Sequence, residues 1–194
     1  MFHVKHEGST PLSEASARLR RFESLLLSRA VPAGLISRGD ESRIWARHIL
    51  DSLRATPFLS EPAEVVDLGS GAGLPGIPLA IARSHLRMTL ADARRARIAF
   101  LELALEELEP PNAQLFAGRV EDLDRRFEVA LARGFGSPAN TWAAAERVLV
   151  PRGRLIYWAG RGFQPEEVPG LVSTTVAGDP HLERGGPIVI MARQ

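Results

Sequence analysis

Apolar residues in the first part of the chain recur at steps of three and four positions, the period of a helix that buries one face. They form one stripe: Leu12, Ala15, Leu19, Phe22 and Leu26. The stripe predicts a helix that starts at Thr10-Pro11 and ends near Ala30. A second helix is predicted as far as Leu53, capped at its start by Asp40 or Ser42.

Beyond Pro62 the pattern changes to short apolar segments that alternate with helical ones. Helices are predicted over 76–83, 94–108 and 138–149, and strands over 64–68, 86–91, 113–117, 127–132 and 153–159. Two late strands, around 171–176 and 187–191, predict an antiparallel pair at the sheet edge because no convincing helix separates them. Strands that alternate with helices are typical of an α/β, Rossmann-like fold with a mostly parallel sheet.

The length of 194 residues fits one domain. We predict a leader over 1–9 and a helical cap over 10–60, packed as one compact unit against a core over 61–194.

The chain has no cysteine, which excludes disulfides, cysteine-ligated metals and a cysteine nucleophile. The formal charge of +1 excludes no class of partner. No apolar run is long enough to span a membrane, and the start lacks an apolar segment of signal-peptide length, so we expect a cytoplasmic protein.

A glycine-rich turn follows the first predicted core strand and opens the helix after it. Its glycines are spaced G-x-G-x-G: Gly69, Gly71 and Gly73. Glycines permit a tight turn there and let a ligand approach the backbone at the carboxyl ends of the strands. Asp92 ends the second core strand, where an acid can accept hydrogen bonds from ribose hydroxyls. The pattern predicts a pocket for a nucleoside or a nucleotide.

Two cofactors suit this layout, and the spacing favours one of them. A dinucleotide requires G-x-G-x-x-G, but Leu74 occupies the third glycine position. Asp67 places a carboxylate at the strand tip, which opposes a diphosphate and suits the cationic amino-acid tail of S-adenosylmethionine. We therefore favour S-adenosylmethionine over a nicotinamide dinucleotide. The remaining alternative is a glycine-rich turn that binds nothing.

Charge along the helix predicted over 94–108 runs against the helix dipole. Arg94, Arg95 and Arg97 lie at its start, whereas glutamates lie near its end. Because the helix begins beside the predicted pocket, these arginines either bind phosphates of a nucleic acid or form a solvated basic turn. In the cap, His48 follows Arg47, and we interpret it as a packed or capping histidine rather than a catalyst.

Two segments of the chain carry a family resemblance: 47–53, RHILDSL, and 67–81, DLGSGAGLPGIPLAI. They resemble the bacterial 16S ribosomal RNA guanine-N7 methyltransferase family, also called glucose-inhibited division protein B, and the order of elements fits from Leu19 to Ala192. The resemblance implies a seven-stranded class I methyltransferase sheet preceded by a helical cap. It also implies S-adenosylmethionine as the methyl donor, no metal, and N7 of one guanine near the decoding site of the small ribosomal subunit as the target.

The resemblance further implies roles for individual residues. The methionine and adenosine pocket would be lined by Gly69, Gly71, Gly73 and Leu74, with Asp92 on the ribose and Val120-Glu121 beside the adenine. Arg133 matches the arginine of the family's S-R-A-F segment beside the methyl donor, although the family serine is Ala132 here. From the charge pattern rather than from the resemblance, the residues expected to bind RNA are Arg47, His48, Arg94, Arg95 and Arg97. A lysine that is common in the family is Ala159 here, and Arg161 is a candidate to replace its charge.

The chemistry of guanine N7 agrees with this chain. N7 has an in-plane lone pair and no proton, so its methylation requires alignment rather than a general base. Arg133 is the predicted catalytic residue, through the donor's carboxylate or the base's O6; the alternative is a structural ion pair. A small-molecule methyltransferase and a non-catalytic RNA-binding module remain open as functions, and we expect a monomer.

Overall fold

The computed structural model describes residues 12–160, 171–177 and 185–194. The predicted leader over 1–9 and the candidate residue Arg161 lie outside the described residues.

Seven strands form one mixed sheet. They are β1 (Glu64–Leu68), β2 (Arg87–Asp92), β3 (Ala113–Ala117), β4 (Phe127–Arg133), β5 (Leu149–Trp158), β6 (Leu171–Val176) and β7 (Ile188–Arg193). The strand order is β3-β2-β1-β4-β5-β7-β6. Strands β1 to β5 pair in parallel, and β7 runs antiparallel to both β5 and β6. The predicted α/β fold and the predicted antiparallel edge are both confirmed.

Helices flank the sheet and precede it. They are α1 (Leu12–Leu25), α2 (Asp51–Leu53), α3 (Gly76–Ala82), α4 (Arg95–Leu108) and α5 (Pro138–Val148). Short π-helical segments cover Leu26–Ala30 and Trp45–Leu50, and 3₁₀ turns cover Arg38–Arg43, Thr56–Phe58 and Val120–Asp122. No helix within the described ranges is long and apolar enough to cross a membrane.

The predicted start of the second cap helix is wrong. The cap residue is Ser37, whose hydroxyl accepts a hydrogen bond from the Gly39 amide at the start of the 3₁₀ turn. Asp40 is buried instead, and its carboxylate pairs with Arg47 and His48. A buried carboxylate is better compensated by cationic and hydrogen-bonding side chains than by the amides of a short turn.

The apolar side chains form a cluster on each face of the sheet. Val65 points to the cluster that also contains Phe22 and Ile49 of the cap, whereas the next residue, Val66, points to the cluster that contains Trp142 of α5. This alternation follows from the period of two along a strand. The cap therefore shares a hydrophobic core with one face of the sheet.

The parallel register aligns several strand tips at one edge. Asp67 of β1 lies opposite Leu90 of β2 and Leu131 of β4, so the turns after these three strands are neighbours. The predicted site residues of the core are brought together at this carboxyl edge.

Candidate active site

The glycine turn has a backbone path that favours glycine at each of its three key positions. Gly69, Gly71 and Gly73 have φ values of 64°, 60° and 77°, in the left-handed region. The Ser70 amide donates to the Ala91 carbonyl at 3.0 Å, which ties the turn to β2. A side chain at Gly73 would collide with Ile77, and Leu74 is buried in the core. Gly73 and Leu74 therefore stabilise the conformation of the turn by packing against the core.

Asp67 has a buried carboxylate, and only one of its two oxygens accepts a hydrogen bond from the described residues. Its Oδ2 accepts a hydrogen bond from the Gly76 amide at 3.0 Å. Its Oδ1 is buried and has no hydrogen-bond partner among the described residues. Burial raises the pKa of Asp67 to about 7, although the Gly76 amide, the Ser70 hydroxyl and the nearby Arg133 oppose the rise. Such an oxygen is an acceptor for a cationic donor, which makes it a suitable contact for an ammonium group.

Asp92, at the end of β2, is held by three donors. Its Oδ2 accepts from the Gly71 amide at 3.0 Å and from the Arg97 guanidinium at 3.3 Å. Its Oδ1 accepts from the Arg94 amide at 2.9 Å. The structure thus joins a residue predicted to bind the cofactor with Arg97, which was predicted to bind RNA.

A cavity of about 250 Å³ opens beside Asp92, and Asp67, Gly71, Gly73, Leu74 and Arg133 are not among its lining residues. Of the predicted cofactor residues, Gly69, Asp92, Val120 and Glu121 line it. Arg94 and Arg97 line it as well. Sequence reasoning missed six further lining residues: Ala91, Ala93, Gly118, Arg119, Gly134 and Phe135. A glycine directly after a strand that ends at the same edge, as Gly118 and Gly134 do, is a signal that could have found two of them.

A larger cavity, of about 850 Å³, lies where β4 and β5 begin and β7 ends. Arg126, Trp142 and Arg152 are among its lining residues. It contains none of the residues predicted to bind a cofactor or RNA. Within the ranges that the structure describes, no group of three or more histidine or acidic side chains is arranged to hold a metal ion.

Arg133, at the end of β4, is held by the cap. Its Nη2 donates to Nδ1 of His48 at 2.9 Å, and its Nη1 lies 3.4 Å from both Asp51 Oδ2 and the His48 carbonyl. Asp51 also accepts a hydrogen bond from Arg54 at 2.9 Å. Burial lowers the pKa of Arg133, whereas the anions Asp51 and Asp67 raise it. The cap segment 47–53, RHILDSL, therefore holds Arg133 at the edge of the site.

Arg47 and His48 lie inside the cap rather than on an open basic surface. Arg47 pairs with Asp40, and Nε2 of His48 lies 3.2 Å from the other oxygen of the same carboxylate. Burial, followed by the charge of Arg133, lowers the pKa of His48 to about 4. The structure does not group these two residues with Arg94 and Arg95, which are exposed at the start of α4. RNA contact by Arg47 and His48 stays a prediction.

The strand order and the site at the carboxyl edge define a class I S-adenosylmethionine-dependent methyltransferase. The fold is similar to that of a mutant of MtNAS crystallised in complex with S-adenosylmethionine, with a TM-score of 0.64 at 16% identity over 92% of this chain and 72% of that chain. The family model described as rRNA small subunit methyltransferase G (GidB) matches residues 15–168. The chain belongs to this family, and it is an enzyme.

Curated relatives agree with the family model. A protein of Nocardioides sp. (strain ATCC BAA-499 / JS614) named ribosomal RNA small subunit methyltransferase G is 37% identical over 89% of this chain and 68% of its own length. A protein of the same name from Neisseria meningitidis serogroup B (strain ATCC BAA-335 / MC58) is 32% identical over 93% of this chain and 90% of its own length.

Proposed function

We propose that this enzyme transfers the methyl group of S-adenosylmethionine to N7 of one guanine in the 16S RNA of the small ribosomal subunit. The observation that carries the proposal is the meeting of two features at one sheet edge. One is the carboxylate pair Asp67 and Asp92 around the glycine turn; the other is Arg133, held by the cap motif RHILDSL. The names of the relatives support small-subunit ribosomal RNA as the substrate.

The amino-acid end of the methyl donor is assigned to Asp67 and Arg133. This end carries an ammonium and a carboxylate, so it is matched by one anion and one cation placed side by side. Asp67 Oδ1 is a buried acceptor without a partner in the described chain, and Arg133 lies close enough to lower the pKa of Asp67. A charge-assisted hydrogen bond to each group would orient the donor as well as hold it.

The nucleoside end is assigned to the cavity. Asp92 would accept the ribose hydroxyls, and Val120 and Glu121 would border the adenine. Asp92, Val120 and Glu121 all line the cavity, next to Gly69. Gly71 contributes by donating its amide to Asp92, and Gly73 and Leu74 contribute by holding the turn in place.

The reaction requires alignment and no proton transfer. The bound donor supplies a methyl carbon that is electrophilic because it is attached to a sulfonium. The N7 lone pair forms the new bond while the carbon–sulfur bond breaks, and the positive charge passes to the guanine ring. The chain's residues therefore act by holding the two reactants in a near-attack geometry. Arg133 must not bridge O6 and N7 of the base, because it would then block the attacking atom.

Phosphates of the RNA are assigned to the exposed start of α4. Arg94 and Arg95 are exposed beside the cavity, and Arg97 is partly exposed. Cationic side chains at the helix start oppose the helix dipole, a cost that phosphate contact would offset. Arg47 and His48 act in this proposal chiefly by positioning Arg133. Since ribosomal RNA is the substrate, we also propose that the protein works in the cytoplasm.

The test is to incubate the protein with methyl-labelled donor and either naked 16S RNA or small subunits that lack the modification. The modified nucleotide is then mapped by mass spectrometry. We expect one labelled N7-methylguanine, and Asp92→Ala should reduce the labelling strongly. Labelling of another atom, or no labelling of either substrate by a protein that binds the donor, would contradict the proposal.

A further inference from the structure

One exposed aromatic ring lies at the carboxyl edge of the sheet. Of the described residues, three large hydrophobic side chains are exposed: Leu27, Phe135 and Val172. Leu27 lies in the cap and Val172 lies on the edge strand β6. Phe135 instead lines the cavity that contains Asp92, with 37% of its area exposed. The open part of the ring therefore lies beside the proposed donor site.

The ring of Phe135 rests on the glycine turn. An ideal Cβ atom added to Gly69 would lie 2.8 Å from Cδ2 of Phe135, closer than real side chains approach. Because Gly69 has no side chain, the ring of Phe135 can pack directly against the turn. Gly134, with a φ of 68°, turns the chain directly after β4 and so places the ring of Phe135 against Gly69. The ring is thus supported along one edge by the turn and remains partly open to solvent.

Phe135 also lies on the reacting side of the proposed donor site, and this step rests on the proposed function. The ribose and adenine are assigned to residues that follow β2 and β3. β4 pairs with the opposite side of β1, where Asp67 and Arg133 are assigned to the amino-acid end. The methyl group lies between the two ends of the donor, so a substrate base must approach it near the tips of β1 and β4. Phe135 is the exposed aromatic ring there.

We propose that Phe135 stacks on the target guanine and holds its N7 edge toward the methyl donor. Proteins read single-stranded or extruded bases of RNA largely by stacking them on aromatic side chains. Here the stack has a second effect, because methylation leaves the guanine ring positively charged. A cation is attracted to the face of an aromatic ring, so the interaction strengthens as the reaction proceeds. Phe135 is therefore a substrate-positioning residue whose loss should lower the rate of the chemical step.

The experiment compares Phe135→Leu with Phe135→Tyr and Phe135→Trp. Leucine keeps an apolar contact with Gly69 but has no aromatic face, whereas tyrosine and tryptophan keep one. Val172→Ala is the control, since it alters an exposed apolar residue away from this edge. For each variant, donor affinity is measured by calorimetry, RNA affinity by filter binding, and methyl transfer by single-turnover kinetics at saturating RNA. Thermal melting checks the fold.

We expect Phe135→Leu to lower the single-turnover rate constant by about 5- to 150-fold, the range that stacking of one base on an aromatic side chain supplies. Donor affinity should stay within about twofold of the wild type, and tyrosine or tryptophan should restore most of the rate. An unchanged rate in Phe135→Leu, a loss of donor affinity equal to the loss of rate, or a failure of both aromatic variants to restore it would overturn the inference. If the wild-type protein does not methylate guanine N7 at all, the proposed function fails first. If the wild type is active and Phe135→Leu is equally active, only the stacking role fails.

Discussion

Nδ1 of His48 accepts a hydrogen bond of 2.9 Å from the guanidinium of Arg133, 85 positions further along the chain. Because Nδ1 is the acceptor, the imidazole proton lies on Nε2, which faces the carboxylate of Asp40 at 3.2 Å. A neutral ring thus links a cation at the tip of β4 to an anion in the cap. Protonating Nδ1 would place a second cation against Arg133 and break this link.

The pH dependence of stability should report this link. The pKa of His48 is about 4 in the folded protein and near 6.5 when unfolded, so the unfolded chain binds the proton more readily. Stability from His48 is therefore present above pH 6.5 and is lost as the pH falls toward 4. In His48→Asn, the amide oxygen can still accept from Arg133 but does not titrate. We expect the free energy of unfolding of the wild type to fall by about 2 kcal/mol more than that of His48→Asn between pH 7.5 and pH 5.

Urea unfolding of both proteins at several pH values measures this difference. Asp67 has the opposite dependence, since its raised pKa makes the folded state bind the proton more readily, but it contributes equally to both proteins. Parallel curves for the wild type and His48→Asn would show that His48 titrates in the folded protein as it does in the unfolded chain.

Binding of the methyl donor should release a proton through Asp67. Near pH 6, a carboxyl group with a pKa of about 7 is mostly protonated. An ammonium on Oδ1 would favour the charged form and lower the pKa, so up to about one proton should leave on binding. Calorimetry of donor binding at pH 6 in buffers of different ionisation heats measures the number released.

Asp67→Asn is the matched control, because it keeps the shape of the side chain and removes the titration. We expect it to bind the donor more weakly and without the proton release. The same release from Asp67→Asn as from the wild type would assign the proton to another group and remove the ammonium contact.

The parts of the site that sequence reasoning predicted are local ones. The turn between Asp67 and Gly73 follows from glycine spacing after an apolar strand, and Asp92 from its place at the end of the next. The contact between His48 and Arg133 was not predictable in this way, because no periodicity relates residues that meet only after the cap packs on the sheet. Asp40 was misinterpreted as a cap for a different reason: its partner Arg47 lies seven positions away, beyond the first turn that capping rules consider. The exposure of Phe135 was not predictable either, because it depends on the turn at Gly134 and on the packing of the ring against Gly69.

Asp92 should contribute to donor affinity far more than to RNA affinity. Its carboxylate is buried and is aimed at the cavity by the Gly71 and Arg94 amides. Loss of hydrogen bonds to a charged group costs about 1.5–3 kcal/mol, so Asp92→Ala should weaken donor binding by about one to two orders of magnitude. Calorimetry with the donor and filter binding with 16S RNA separate the two affinities. Asp124→Ala, an exposed acid outside the cavity, is the control, and equal losses of both affinities in Asp92→Ala would refute the ribose role.

If the arginines at the start of α4 bind phosphates, replacing them should change the salt dependence of RNA affinity. Arg94 and Arg95 are exposed, so replacing both with alanine should disturb the fold little. Each phosphate contact that is lost reduces the slope of log affinity against log salt concentration by about 0.7–0.9. We therefore expect weaker binding of 16S RNA by the double variant and a slope that is shallower by one to two such steps, measured by filter binding over a range of salt concentrations. Arg147→Ala, at an exposed position on α5, should leave the slope unchanged. If the double variant keeps the wild-type slope as well, Arg94 and Arg95 form a solvated basic turn, and the RNA phosphates must be held by other residues.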